Sequence, residues 1–255
     1  MGASIGGAVV GALSDFWGFF TTSDNWWGSS GIISRTSAHV RISVAAMLVA
    51  TVIALPPAFV LGHVRRGGLA AVSIVNVGRA IPSLGILAFC TTINFFGFGY
   101  RPTLVALVAL AIPPVFTNTY TGVRGVDQSV VEAARGMGMT PREVLLRVEV
   151  PTAIPLIITG LRISAVQVVA TATLGALVAF ECLGSFINEG IAQFDNGKLI
   201  TGAVLVAVLA LVTDGFFVVV QRVSAPWLRG RGRRPRTPLV PEAGPAIPRI
   251  QPIGP

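Results

Sequence analysis

The sequence predicts an all-α integral membrane protein with about five transmembrane helices, and three observations support this fold class. Of its 255 residues, 53% are hydrophobic and only 12% are charged, a balance that soluble domains rarely have. Apolar runs of roughly 20 residues, the length that a helix needs to cross a bilayer, recur along the chain. The net charge is +8, but the arginines lie beside these runs or in the tail. That distribution is typical of membrane topology and excludes nucleic acid as the expected partner.

Five apolar segments are predicted to span the membrane. They are Val40–Gly62, Leu69–Thr91, Thr103–Thr121, Leu161–Phe180 and Leu199–Val220. Since lipid offers no hydrogen-bond partner to backbone groups, these segments must be helical. Together they predict a transmembrane domain over residues 40–222, in contact with membrane lipid.

Both ends of the chain are predicted to lie outside the bilayer. Residues 1–39 form an N-terminal extracytoplasmic or interfacial segment, in which residues 32–41 are a short interfacial helix or a loop. Residues 223–255 form a tail rich in arginine and proline, and repeated prolines after Ala225 exclude a long helix there. We expect this tail to be disordered.

The distribution of basic residues predicts an N-out, C-in orientation, because cytoplasmic loops carry an excess of Lys and Arg. This orientation leaves outside only Arg35, Arg41, Arg101 and Lys198. The residues that it places inside are Arg65, Arg66, Arg124, Arg135, Arg142, Arg147, Arg162 and the arginines of the tail.

The loop between the third and fourth spans runs from Gly122 to Gly160, and a connection of this length is usually functional. Asp127 or Ser129 can cap a first helix, with Glu132 completing a capping box after Ser129. Gly138 suits the left-handed position that closes this helix.

A second short helix is predicted after the first one. Thr140 is a good N-cap, Pro141 fits the first helical position, and Glu143 can reach back to the cap. Pro151 and Pro155 are predicted to end this helix before the next span begins. We therefore expect two short helices, held at an angle, on the cytoplasmic face.

A spaced pattern in this loop resembles a known family. Glu132-Ala133-Ala134 is followed after three residues by Gly138, and after nine more by Val148-Glu149-Val150-Pro151. This is similar to the EAA loop of bacterial ABC importer permeases of type I. Further segments resemble the glycine betaine, carnitine and choline permeases of that family, namely Ile81–Leu84, Asn118–Val123, Ala133–Thr140 and Gly160–Ser164. The sequence differs from that subfamily at Phe180–Gly184, where small residues are usual.

The resemblance implies a coupling loop that docks on a separate ATPase. The residues that it assigns to this role are Glu132, Ala133, Ala134, Arg135, Gly138, Thr140, Arg142 and Pro151. It also implies a plasma (inner) membrane location and three partners: ABC ATPase subunits, an extracytoplasmic solute-binding protein, and a second copy or a homologous permease in a dimer. The implied solutes are glycine betaine, choline and carnitine.

We expect no catalytic residues, metal or cofactor in this chain. It has no Gly-rich phosphate-binding motif with Lys and Ser or Thr, so ATP would be hydrolysed by the partner subunit. One alternative is an ABC permease for an amino acid or another small solute. A second alternative is an ATP-independent channel or secondary transporter, for which an internal repeat or an intramembrane charge pair would be typical.

Four polar residues within or beside the spans are candidates for the solute pathway: Asn118, Gln167, Glu181 and Asp214. Polar and charged groups at bilayer depth usually face a cavity or a partner. A cationic solute would favour Glu181 or Asp214 near its path. Alternatively, Arg79 and an acid form a structural pair.

Overall fold

The computed structural model describes residues 5–65, 72–73 and 83–224, and this part of the chain contains helices and no strands. The helices are α1 (Ile5–Thr21), α2 (Ile32–Val64), α3 (Ser83–Thr92), α4 (Tyr100–Arg124), α5 (Gln128–Gly136), α6 (Pro141–Val144), α7 (Val150–Thr171), α8 (Leu183–Gln193) and α9 (Asn196–Ser224). Leu145–Glu149 is a π turn between α6 and α7, and Ala172–Val178 continues α7 as a 3-10 helix.

The all-α membrane fold is confirmed. Within the described residues, four helical stretches are long and apolar enough to cross a membrane. They are α2, α4, the continuous stretch Pro141–Val178, and α9. The predicted second span is represented by α3, while most of residues 69–82 lie outside the described residues, as do Arg66, Arg79 and the tail from residue 225.

Helix α4 lies at the centre of the bundle, because α2 packs on one side of it and α7 on another. A buried cluster joins Ala46 of α2, Leu107 and Ala111 of α4, and Val168 of α7. Small residues permit these close contacts: a Cβ atom added to Gly160 would lie 2.8 Å from the Cβ of Asn118.

The bundle has two ends, called the loop end and the hairpin end. At the loop end, α2 and α4 finish, α7 begins, and the segment of residues 125–149 connects α4 to α7. The hairpin end contains the first residues of α2 and α4, together with the turns around Gly99 and Phe194. The backbone N–H of Gly99 donates to the carbonyl of Val178 at 2.6 Å, which fixes the end of the α7 extension against the start of α4.

Residues 32–41 were predicted to form a short interfacial helix or a loop. This prediction was wrong, because α2 begins at Ile32 and runs unbroken for 33 residues. A charged residue such as Arg35 would ordinarily disfavour extension of an apolar membrane helix, because an uncompensated charge is costly there. However, its side chain is only 3% exposed, and its guanidinium donates to the carboxylates of Glu181 and Glu189. This neutralisation lets the helix extend past the charge.

The prediction that Pro151 and Pro155 end the second loop helix before the fourth span was also wrong. Helix α7 begins at Val150, and α6 leads into it through the π turn without a break. Pro151 lies in the first turn of α7, where its missing N–H is tolerated. Because the N–H of Val150 reaches back to the carbonyl of Leu145, the π turn absorbs the proline instead of ending the helix.

One consequence concerns Arg162, which the sequence placed on the cytoplasmic side, at the start of the predicted span Leu161–Phe180. It lies twelve positions after Val150 in α7, or about 18 Å along the helix at 1.5 Å per residue. Arg162 therefore lies well inside helix α7.

Candidate coupling site

The predicted first helix of the loop exists as α5, with sharply defined ends. Asp127 is its N-cap: the carboxylate accepts hydrogen bonds from the backbone N–H and the hydroxyl of Ser129, both at 2.9 Å. Ser129 is thus a donor to the cap and not the cap, so Glu132 does not form the predicted capping box.

The end of α5 confirms the prediction for Gly138, which has a φ of +86°. The N–H of Gly138 donates to the carbonyl of Arg135, and that of Met139 donates to the carbonyl of Ala134. This pair of bonds is a Schellman motif, in which a left-handed glycine satisfies the last carbonyls of a helix.

The predicted start of the second helix is confirmed as well. The backbone N–H of Thr140 donates to the Glu143 carboxylate at 3.0 Å, and the N–H of Glu143 donates to the Thr140 hydroxyl at 3.4 Å. Pro141 occupies the first turn of α6. Both helices of the loop are therefore held by their own caps.

The two faces of α5 have different surroundings. Val131 and Ala134 are buried with Val126 and Val144, which forms a small core inside the loop itself. Glu132, Ala133 and Arg135 point outward and are exposed, as are Gly138, Thr140, Arg142 and Pro151. Ala134, which the resemblance assigned to the docking role, is instead enclosed by the loop core.

The cap of α5 should depend on pH. Hydrogen bonds from the backbone N–H and the hydroxyl of Ser129 hold the pKa of Asp127 below its ordinary value. Its contribution is thus complete above the ordinary Asp pKa of about 3.9 and is lost as the pH falls through the lowered folded-state pKa. We expect amide hydrogen exchange in the first turn of α5, corrected for intrinsic rates, to be constant from neutral pH to mild acidity and to rise only in stronger acid.

An Asp127→Asn variant is the matched control, because Asn is also a good N-cap but does not titrate. Its first turn should show no acid-induced loss of protection. An equal loss in the Asn variant would mean that another group controls the cap.

Two contacts at the loop end were missed by the sequence analysis. His63, in the last turn of α2, lies 2.6 Å from the carboxylate of Glu149, measured from Nδ1 to Oε2. Glu149 belongs to the π turn and is fully buried. Arg65, which ends α2 in a left-handed conformation with φ +58°, donates from Nη2 to the carbonyl of Val126 at 2.9 Å.

Of the predicted pathway residues, Asn118 and Gln167 lie on different surfaces. Asn118 donates to the carbonyl of Pro114 within its own helix and faces Gly160 of α7. Gln167 is exposed, on a stripe of α7 that the chain itself leaves uncovered. That stripe also contains Leu156, Ile163 and Ala170.

The two acidic pathway candidates are both held in ion pairs. Glu181, at the hairpin end, accepts a hydrogen bond from Arg35 Nε at 3.0 Å. Asp214 of α9 accepts two from Arg162 of α7, at 2.6 and 2.8 Å. These contacts agree with the alternative that the acids form structural ion pairs. The partners are Arg35 and Arg162, whereas the predicted partner, Arg79, lies outside the described residues.

The loop, its spacing and the helical bundle around it match one family. The family described as binding-protein-dependent transport system inner membrane component matches residues 44–225. The chain belongs to this family. It is therefore a membrane component of a transport system that depends on a binding protein, and the charge pair of Arg162 and Asp214 does not make it a secondary transporter.

Curated relatives of this family member have related names. The choline transport system permease protein OpuBB of Bacillus subtilis (strain 168) is 36% identical over 195 residues, covering 76% of this chain and 89% of that protein. The carnitine transport permease protein OpuCB of Listeria monocytogenes is 37% identical, with coverage of 72% and 83%. The osmoprotectant import permease protein OsmY of Salmonella typhimurium is 35% identical, with coverage of 69% and 75%.

Solved structures show the same fold. The inward-facing MetNI methionine ABC transporter aligns with a TM-score of 0.67 at 22% identity, over 76% of this chain and 95% of that chain. An amino acid ABC transporter aligns with a TM-score of 0.63 at 19% identity, over 88% and 100%. The bundle of this family member is thus that of an ABC transporter permease.

Proposed function

We propose that this family member is the permease subunit of an ATP-driven importer for compatible solutes, with the loop end in the cytosol. The observation that carries the proposal is the two-faced helix α5, whose inner side packs on the loop's own core while its outer side is exposed. Such a helix is a preformed docking element, since a partner need not order it on binding.

The ATPase subunit is proposed to bind the outer face of this loop. Glu132 and Arg135 supply charges of opposite sign beside the small Ala133, so the face permits close approach and polar contacts at its rim. The caps at Asp127, Gly138 and Thr140 make the element rigid, which is what transmission of a motion requires. Arg142, beside the α6 cap, and Pro151 complete the exposed surface.

The uncovered stripe on α7 is proposed to face the solute pathway and a second permease. Gln167 carries an amide, and a polar group of this kind is unfavourable against lipid chains. By contrast, the exposed side chains of α9, such as Leu211, Val212 and Phe216, are apolar and suit lipid. This difference between the two surfaces supports Gln167 as a pathway residue. Asn118 is a second candidate on another surface, while Glu181 and Asp214 lie in structural pairs.

The solute class is proposed from the relatives, whose names specify choline, carnitine or osmoprotectants. The test is uptake of labelled glycine betaine, choline and carnitine into proteoliposomes that contain the permease, its ATPase and its binding protein. We expect saturable uptake of at least one of them, abolished when the phosphate-binding lysine of the ATPase is replaced. Uptake that continues with the inactive ATPase would overturn the importer. ATP-driven uptake of amino acids alone would overturn the solute class.

The orientation has its own test by cysteine labelling. The two native cysteines, Cys90 and Cys182, are buried and free, so single cysteines can be introduced into a background without them. Met137, in the loop, is 73% exposed, and Phe194, at the hairpin end, is 94% exposed. We expect an impermeant maleimide added to intact spheroplasts to label Phe194→Cys and to leave Met137→Cys unlabelled until the membrane is opened. The reverse pattern would contradict the orientation.

A further inference from the structure

The last turn of α2 contacts both ends of the coupling loop. On the side where the loop begins, the Arg65 guanidinium donates to the carbonyl of Val126, just before the α5 cap. On the side where the loop ends, His63 is hydrogen-bonded to Glu149 in the π turn. Directly before these residues, Gly62 lies so close to α4 that an added Cβ would be 2.8 Å from the Cβ of Val123.

Glu149 is an unusual residue for such a place. Its side chain is fully buried, whereas that of His63 is 15% exposed. Its second oxygen, Oε1, has no hydrogen-bond partner among the described residues. Because a buried carboxylate is costly and an apolar residue of the same size would pack as well, its presence is not explained by stability alone.

The π turn explains how Glu149 comes to face α2. Five residues, Leu145–Glu149, form the wider turn directly before α7, and π turns of this kind are frequent at functional sites. The His63 contact is thus made at the one joint through which the loop is connected to the fourth span.

We infer that the hydrogen bond between His63 and Glu149 is a positioning contact that transmits movement of the coupling loop to α2. This inference rests on the proposed function. With the bond in place, displacement of α5 by the ATPase moves α2 and α7 together. Without this bond, the π turn is no longer fixed to α2, and the loop moves without reorienting α2 and α7.

The test measures the number of solute molecules imported per ATP hydrolysed, in proteoliposomes with the ATPase and the binding protein. Glu149→Leu and His63→Leu remove the bond, and each should lower this ratio at least tenfold while ATP hydrolysis per complex stays within about threefold. The double Leu variant should be no worse than either single variant, because both remove the same contact.

Two conservative variants distinguish a positioning contact from general packing. His63→Asn keeps an N–H donor near the position of Nδ1, and Glu149→Gln keeps an acceptor oxygen. Both should retain the ratio within about threefold. His39→Asn is the matched control, because His39 is the other histidine of the chain, lies in the same helix, is buried, and bonds to the Val169 carbonyl near the hairpin end. It should leave the ratio unchanged.

An unchanged ratio in both Leu variants would overturn the inference, as would an equal fall in His39→Asn or in the conservative variants. If a single Leu variant does not assemble, the ratio is measured in the double variant His63→Leu with Glu149→Gln, which removes the bond without leaving a buried charge. A normal ratio in that double variant would overturn the inference. Failure of the proposed function is distinguishable, because then the unaltered complex would show no ATP-driven uptake at all.

Discussion

An Asp214→Ala variant is expected to accumulate in the membrane at roughly one tenth of the normal level, because it leaves the Arg162 guanidinium without its partner between two apolar helices. In the intact protein, the two side chains form a bidentate pair between α7 and α9. Removal of one partner leaves the other charge uncompensated between α7 and α9. The measurement is the yield of monodisperse protein after detergent extraction, together with its thermal unfolding midpoint.

The control for this prediction is the double variant Arg162→Ala with Asp214→Ala, which removes both charges. It should be extracted at a clearly higher level than Asp214→Ala alone, since no charge is left without a partner. The exchanged pair, Arg162→Asp with Asp214→Arg, should also recover much of the loss. Equal yields from the single and double variants would show that the pair does not stabilise the bundle.

A Gly138→Val variant is expected to insert normally and to lose at least nine tenths of solute uptake. Gly138 has a φ of +86°, and a left-handed conformation costs an ordinary L-residue roughly 1–2 kcal/mol, with β-branched residues the worst. An added Cβ meets no neighbouring atom within 4 Å, so the effect would come from the backbone and not from a clash. The end of α5 would then be displaced from its docking position. Uptake and ATP hydrolysis per complex in proteoliposomes provide the measurement.

Two variants control for the backbone argument. Gly138→Asn should retain most of the uptake, because asparagine tolerates the left-handed region. Gly215→Ala, in α9, also adds a Cβ into open space but at a helical position, so it should have no effect. If Asn were as damaging as Val, the conformation of Gly138 would not be the cause.

The local features of the coupling loop were predictable from the sequence. The cap at Thr140 and Glu143 and the left-handed Gly138 depend only on residues within a few positions of each other. For the same reason, the long apolar runs predicted α4 and α9 with small errors at their ends. The family pattern added the functional meaning of the loop.

The contacts between distant residues were not predictable. Arg35 pairs with Glu181 across 146 positions, His63 with Glu149 across 86, and Arg162 with Asp214 across 52. No local pattern specifies such partners, which depend on how the helices pack. The start of α7 was mispredicted for a related reason: Pro151 normally ends a helix, and only the π turn seen in the structure shows how it is accommodated.

The π turn also bears on why the spacing of the family pattern is strict. An α-helix rotates by about 100° for each residue, and a π turn is in effect a single-residue insertion into that regular rotation. A residue added or lost in the α-helical parts on either side would therefore swing α5 around the axis of α7 by more than a quarter of a circle, whereas the wider turn at Leu145–Glu149 already accommodates one extra residue. After such a swing, the outer face of α5 would no longer lie where the ATPase is proposed to bind. Between Gly138 and Pro151, natural variation should thus exchange side chains freely but rarely add or remove a residue.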